Sequence, residues 1–346
     1  MIRLMKRLTA LALTLLLLTA SAGAAGQKSS FSDVPTKHWA AESIARCAQY
    51  GLMQGIGSGE FGLGMEMSRG AYAATLCRLM GWASVVPEES SFADNQDTST
   101  WYYSAIETAY ANGALTGESS LCRPNDAITR EEMAKMTVRA LGFSLLSGEA
   151  EADCPFADVS VAHGYIALAY RMGIINGVSR YCFDPKANAT REQAAAVLLR
   201  AYDRLHAQVC VTEVTSAPEN AVSVAPLTDE AGSVPVSPRA PLMGVYTAAV
   251  QAGKGGSVAL CAVPLLQITR DGAVVESRDL TADELAAFLA DSTMHTHRSA
   301  QHMSSCLYRT EKNGSVTVIW YESEADLAEK TALCRLLGIE EVYLIK

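Results

Sequence analysis

Three arginines occupy one recurring place in the chain. Ser68-Arg69, Thr129-Arg130 and Thr190-Arg191 follow one another at intervals of 61 residues. Arginine presents a planar fork that pairs with a carboxylate through two parallel hydrogen bonds. Glu132 and Gln193 lie three residues beyond Thr129 and Thr190, the pattern of a capping box that opens a helix. A helix start adds unpaired N–H donors and a positive dipole end, both of which favour an anion. The chemistry offered is anion recognition. A second cluster holds His295, His297 and His302 with Cys306 close behind. These are soft metal ligands, but no standard zinc spacing appears and Ser, Thr, Gln and Arg surround them. That cluster reads as a solvated loop, and neither a metal nor any other cofactor is expected.

The arginines belong to a repeat. Phe31-Ser32-Asp33, Phe92-Ala93-Asp94 and Phe156-Ala157-Asp158 recur ahead of them. Ile44, Ile106 and Ile166 each precede Gly51, Gly113 and Gly173 by seven residues, and Gly55, Gly117 and Gly177 follow four later. Arg78, Arg139 and Arg200 close the units, so residues 31–205 hold three copies of one motif. Each copy reads as helix, loop, helix. Trp39, Ile44 and Ala48 have helical spacing, and Gly51, Gly113 and Gly173 suit the left-handed position that ends a helix. The fold class expected is an all-α, pseudo-threefold bundle of helix–loop–helix units followed by a small α/β module. No unit is large enough to bury its apolar face alone.

The 346 residues carry 28 Lys+Arg against 37 Asp+Glu, a net charge of −9. Arg3, Lys6 and Arg7 precede an apolar run from Leu8 to Leu18 and a small-residue stretch from Ala20 to Ala25, the order of a secretory signal peptide. Without residues 1–25, 25 basic residues face 37 acidic ones, a net charge of −12. Nucleic acid is a poor partner for such a chain. No later segment is apolar enough to span a membrane, so no span is expected after signal cleavage. The nine cysteines are widely spaced and odd in number. They read as mostly free, buried thiols, with at most two disulfides whose partners the sequence does not name.

The order F-x-D-V, H-W-A, an Ile-containing helix, G-x-x-x-G, F-x-P and T-R-x-E resembles the S-layer homology domain. The resemblance divides the chain into a signal peptide at 1–25 and repeats at 27–86, 87–148 and 149–207. A Pro-rich linker follows at 208–241, and a C-terminal module at 242–346. It implies a secreted protein held non-covalently on the bacterial cell wall or S-layer surface. The implied partner is secondary cell wall polysaccharide, often through a pyruvylated sugar whose carboxylate the arginines would meet. The implied carbohydrate-binding residues are Asp33, Trp39, Gly55, Arg69, Asp94, Trp101, Gly117, Arg130, Asp158, Gly177 and Arg191. Each has a plainer alternative. The arginines either contact ligand or form structural ion pairs. The tryptophans either cover a sugar face or fill the core. The aspartates either accept sugar hydroxyls or fix a loop, and the glycines either admit a sugar or punctuate the backbone. Repeat one lacks the acid of the capping box, and repeat three lacks the Trp, with Tyr165 or His163 as stand-in. Repeat two has both Trp101 and Thr129-Arg130-Glu131-Glu132, so the groove of Arg130 is the one expected to keep full function.

In the C-terminal part, Val258 to Thr269 reads as one strand. Asp271-Gly272 and Asn313-Gly314 read as hairpin turns, and Thr281-x-x-Glu284 as a helix start. Ser323 to Leu337 reads as a helix between two strands, a β-α-β unit. Tyr308, the Gly314 turn, Val318-Ile319-Trp320-Tyr321-Glu322, Leu327, Lys330 and Leu337-Gly338-Ile339 through Val342 resemble the end of a family 18 glycoside hydrolase barrel. That family's D-x-x-D-x-D-x-E motif is absent from the sequence, and 105 residues fall well short of the ~250 of a full barrel. The module is therefore expected to be non-catalytic, with no catalytic residue to name. The alternative is a wall-tethered hydrolase of peptidoglycan or chitin-like glycans.

Overall fold

The computed structural model describes residues 31–116, 120–228 and 237–346. The expected signal peptide and Gly117 lie outside the described residues. Six α-helices build the repeats: α1 (Ala41–Gln49), α2 (Arg69–Met80), α3 (Tyr103–Ala111), α4 (Arg130–Ala140), α5 (His163–Arg171) and α6 (Arg191–Leu205). Two short 3-10 segments, Ser144–Ser147 and Glu149–Asp153, lie between α4 and α5. Local chemistry sets the ends. The Thr129 hydroxyl accepts the Glu132 N–H while Glu132 accepts the Thr129 N–H, so α4 begins on a complete capping box. The Ser68 hydroxyl accepts the Ala71 N–H at 3.2 Å and starts α2 without an acid. Gly51, Gly113 and Gly173 follow α1, α3 and α5 at φ of 71°, 74° and 72°, a region that costs glycine nothing.

The repeats close into a ring rather than stacking as three separate pairs. The first helix of each unit packs on the second helix of the unit before it: α3 on α2, α5 on α4, and α1 back on α6. Arg46 on α1 pairs with Asp203 on α6, sealing the last of these joints. Short β-bridges run around the axis, Ser68 with Ala127, Thr129 with Asn188 and Glu66 with Thr190. At the centre, Met67 donates to the Ala189 carbonyl, Ala189 to that of Ile128, and Ile128 to that of Met67, each at 2.8 Å. This closed triangle satisfies backbone groups that no helix could reach. The Tyr72 hydroxyl meets Thr137 Oγ1 at 2.6 Å across the buried interface of α2 and α4.

Beyond α6 the chain forms two sheets. Strands β1 (Cys210–Val214), β2 (Ala221–Ser223), β3 (Ser257–Cys261) and β9 (Glu341–Ile345) make a parallel sheet in the order β1-β9-β3-β2. Strands β4 (Leu265–Arg270), β5 (Ala273–Asp279), β6 (His295–Ser299), β7 (Ser304–Thr310) and β8 (Val316–Tyr321) make an antiparallel sheet in the order β5-β4-β8-β7-β6. Helices α7 (Leu242–Ala252), α8 (Ala282–Ala290) and α9 (Glu324–Leu336) complete the module. Helix α9 packs on both α7 and α6, so one apolar core runs from the repeats into the parallel sheet.

Four expectations are corrected here. Residues 208–241 are not a plain linker: β1 and β2 lie within them, because Val211, Thr212 and Val222 are good strand formers with β9 and β3 as partners. Val258 to Thr269 is not one strand. Pro264 interrupts it, and β3 and β4 enter different sheets. The strand–helix–strand at the end is not a β-α-β unit as read, because β8 belongs to the antiparallel sheet while β9 pairs in parallel with β3. The histidine cluster is not a loop: His295 and His297 lie on edge strand β6, with His297 opposite Cys306. Among the described residues no group of three or more His, Cys, Asp or Glu is placed to hold a metal ion. All nine cysteines are free thiols, with Cys182 and Cys210 exposed.

A buried polar bracket ties α9 to its sheet. Asp326 accepts from Arg298 Nε at 2.8 Å and from Ser305 Oγ at 2.7 Å. Lys330 pairs with Glu322 and donates to Ser304 Oγ at 2.7 Å. Burial outweighs their attraction, so the Glu322 carboxyl is pushed up to about 7 and the Lys330 ammonium is pulled down.

Candidate functional site

Closing the ring brings parts of all three repeats to the Arg130 and Arg191 grooves, and parts of repeats one and two to the Arg69 groove. Arg130, at the start of α4, reaches the loop of repeat three. Its Nε donates to the Phe183 carbonyl at 2.8 Å and its Nη2 to the Asn176 carbonyl at 2.9 Å. Its guanidinium lies over the Phe183 ring, 4.6 Å from the centroid. Arg191 treats the loop of repeat one alike, donating from Nε to Phe61 and from Nη2 to Gln54 at 2.9 and 2.8 Å, over the Phe61 ring. Arg69 Nε donates to the Cys122 carbonyl at 2.9 Å. The three arginines are thus first of all braces between neighbouring units. Burial pulls the guanidinium groups of Arg130 and Arg191 down, with acidic neighbours opposing it. Nη1 of Arg130 and Nη1 of Arg191 have no hydrogen-bond partner among the described residues, which leaves each a donor for a ligand.

The Arg130 groove has a volume of about 230 Å³ and is lined by Trp39, Gly177, Phe183, Gln193 and Arg200 among others. The Arg191 groove, about 190 Å³, has Trp101, Gly55, Ala71 and Arg78 at the matching places. Trp39 is 60% and Trp101 64% exposed, so both stand at groove rims rather than in the core. Each tryptophan faces the arginine of a different repeat: Trp39 of repeat one serves Arg130, and Trp101 of repeat two serves Arg191. The expectation that Trp101 and Arg130 share a groove because they share a repeat is therefore corrected. Side chains about 90 residues apart in the chain meet only through ring closure.

The Arg69 groove is smaller, about 80 Å³, and is lined by Glu132, Arg123, Lys135 and Arg139. Glu132 enters it from the start of α4. Its carboxylate meets Arg69 Nη1 at 2.8 Å and also pairs with Arg123. Burial opposes ionisation of Glu132, but the Thr129 N–H and the two guanidinium groups hold it below the ordinary carboxylate value. The chain's own carboxylate thus takes up Arg69 Nη1, the atom that has no hydrogen-bond partner in Arg130 and Arg191 among the described residues. No tryptophan lines this groove. Tyr165 lies under Arg139, at 5.1 Å, and His163 points toward Glu151.

The aspartates and glycines shape the loops. Asp33 accepts the N–H groups of Phe61, Gly62 and Leu63 at 2.7–2.8 Å. Asp94 accepts those of Cys122 and Arg123, and Asp158 those of Phe183 and Asp184. Burial favours their neutral forms, yet these N–H donors prevail and hold all three below the ordinary value. A Cβ on Gly55 would lie 2.4 Å from the Glu60 carbonyl oxygen, and one on Gly177 would lie 2.4 Å from the Phe156 ring. These glycines admit the repeat's own Phe and loop backbone. The sequence did not mark out Gln193 and Arg200 as groove-lining residues, although both recur at the repeat spacing as Glu132 and Arg139.

The comparisons with known proteins agree with this geometry. The S-layer homology domain family matches residues 30–73, 91–134 and 155–195. An amylopullulanase of Thermoanaerobacterium thermosulfurigenes is 31% identical over 178 residues, 49% of this chain and 9% of its own length. An S-layer protein of Bacillus thuringiensis subsp. finitimus is 26% identical over 191 residues, 54% of this chain and 23% of its own. The chain thus spans less than a quarter of the length of these relatives. Among solved structures, the putative sporulation-specific glycosylase ydhD from Bacillus subtilis is 13% identical with a TM-score of 0.27, covering 42% of this chain and 48% of that one. A likeness that distant carries no argument. What the repeat, the closed ring and the family match establish together is that this chain carries three S-layer homology domains.

Proposed function

We propose that the protein is a cell-surface protein that its three domains hold on the bacterial wall by binding a carboxylate-bearing wall polysaccharide, the Arg130 and Arg191 grooves being the binding sites. The observation that carries this reading is a buried guanidinium fixed by two backbone carbonyls, with Nη1 unpartnered and an exposed tryptophan on the rim. A carboxylate of a pyruvylated sugar meets the arginine, and the apolar face of the ring lies on the tryptophan. Because the arginine is already immobilised, little side-chain entropy is lost on binding. The all-α character of the bundle, with only isolated bridges among its helices, serves this use by keeping the grooves at rigid joints. Pull-down of the full chain with wall sacculi, before and after the acidic polysaccharide is stripped, tests the reading. Equal binding to stripped and intact sacculi overturns it.

The C-terminal module is read as non-catalytic. Its parallel sheet has four strands, half the number of a closed barrel of this class. A second reading, a wall-tethered glycoside hydrolase, draws on Glu322, whose raised value of about 7 suits a general acid. Its side chain is only 3% exposed and pairs with Lys330, which favours a structural role. Release of reducing sugar from peptidoglycan by the full chain, lost in Glu322→Gln, is the result that would establish the hydrolase.

A further inference from the structure

The Arg130 groove has a second cavity beside it. The loop from Gly173 to Gly177 places Gly177 in that groove and Gly173 in a second cavity of about 340 Å³. Asn176 lines both, and its carbonyl is the one that Arg130 holds. The far wall is the C-terminal module, through Val250, Gly253, Lys254 and Leu337. Two cations face this cavity and no acid lines it. The Lys254 ammonium has no partner among the described residues. Arg171 gives Nη2 to Asp153 at 2.9 Å, but its Nε is buried without a hydrogen bond. Tyr170, 41% exposed, stands beside them with its ring edge-on to Phe156. Helix dipoles explain why cations collect here, since α5 and α7 both end at this point. They do not explain a cavity of that size with unspent donors in a chain of net charge −9.

We propose that this cavity is a second subsite for the wall polymer, holding the acidic unit next to the one bound at Arg130, with Lys254 and Arg171 as its anion contacts. The proposal rests on the reading of the Arg130 groove as a glycan site. It makes the C-terminal module part of the binding surface, and it makes this groove select for polymer longer than one repeating unit. Two adjacent contacts on one chain act at high effective concentration, so length translates into affinity.

The test uses the full chain and polysaccharide released from wall sacculi, fractionated into single repeating units and longer fragments. The unchanged protein should bind the longer fragments at least tenfold more tightly than single units. Lys254→Glu, at an exposed position, should weaken the longer fragments at least fivefold and single units less than twofold. Arg130→Ala should weaken both. If Lys254→Glu and Lys254→Ala both bind long fragments like the unchanged protein while Arg130→Ala does not, the second subsite is wrong and the groove stands. If the unchanged protein binds neither fraction, the groove reading falls and takes the subsite with it.

Discussion

The Arg130 and Arg69 grooves are built on the same plan and differ in a few side chains. In one, Gln193 lies beside the arginine; in the other, the equivalent position is Glu132. The glutamine is neutral and leaves Nη1 of Arg130 without a partner, whereas the glutamate neutralises Arg69 at 2.8 Å. In one the loop carries Phe183, which supports the guanidinium; in the other it carries Cys122, and Arg123 adds a second cation to Glu132. One has a tryptophan rim and the other has none. A repeat that keeps its fold can therefore fill its own groove from within.

That contrast can be broken from both sides. The largest effect is expected for Gln193→Glu, which should place a carboxylate against Arg130 while still capping α6. Losing a charge-assisted contact is worth about 1.5–3 kcal/mol, so sacculus binding should fall about ten- to a hundredfold. The thermal midpoint should change little, which separates occupation of the groove from unfolding. Arg69→Ala, by comparison, should leave binding within about twofold.

A Cβ at Gly177 would press on the Phe156 ring and two loop carbonyls. Gly177→Ala should therefore lower stability by about 1–3 kcal/mol, read from denaturant unfolding. Gly148→Ala, with open space around it and no positive φ, should stay near the unchanged protein. Trp39→Ala removes an exposed rim contact and should cost binding about 1 kcal/mol, roughly fivefold, with no loss of fold.

The reverse conversion is subtler. Glu132→Gln frees Arg69 but restores neither a tryptophan nor Phe, so binding should rise by no more than about twofold. Its stability cost, about 1 kcal/mol, should depend on pH. Glu132 is held below its ordinary value in the folded state, so its contribution is fully present above the unfolded value near 4.5 and is lost as pH falls through the folded value. The stability gap between the unchanged protein and Glu132→Gln should therefore be constant well above 4.5 and shrink as pH falls below it. A gap that does not shrink as the protein is acidified would place the effect elsewhere.

Much of this was legible in the chain. The helix starts at Thr129 and Thr281 are short-range hydrogen-bond patterns, and the structure forms them where their spacing predicts. The left-handed glycines at 51, 113 and 173 follow from the same local rules. The route of the chain between units was not legible. Trp101 and Arg130 lie close in sequence yet belong to different grooves, since the Arg130 and Arg191 grooves each draw on three repeats. Strands β1 and β2 hid in a Pro-rich stretch because their partners, β9 and β3, come far later in the chain. The capping residue Asp326 and the buried pair of Lys330 and Glu322 carry ordinary surface-type side chains, and only packing shows that they are interior.

By itself the sequence determined the unit: where its first helix ends, where its second begins, which arginine opens the second, and that the unit occurs three times. These rest on contacts spanning a few residues, which any copy makes alone. The tertiary structure decided which tryptophan meets which arginine, that Glu132 fills the groove of Arg69, and that the C-terminal module walls the cavity next to the groove of Arg130. Those outcomes depend on ring closure, set by the Met67–Ala189–Ile128 triangle and the joint between α1 and α6, and no local pattern encodes where a distant copy will land.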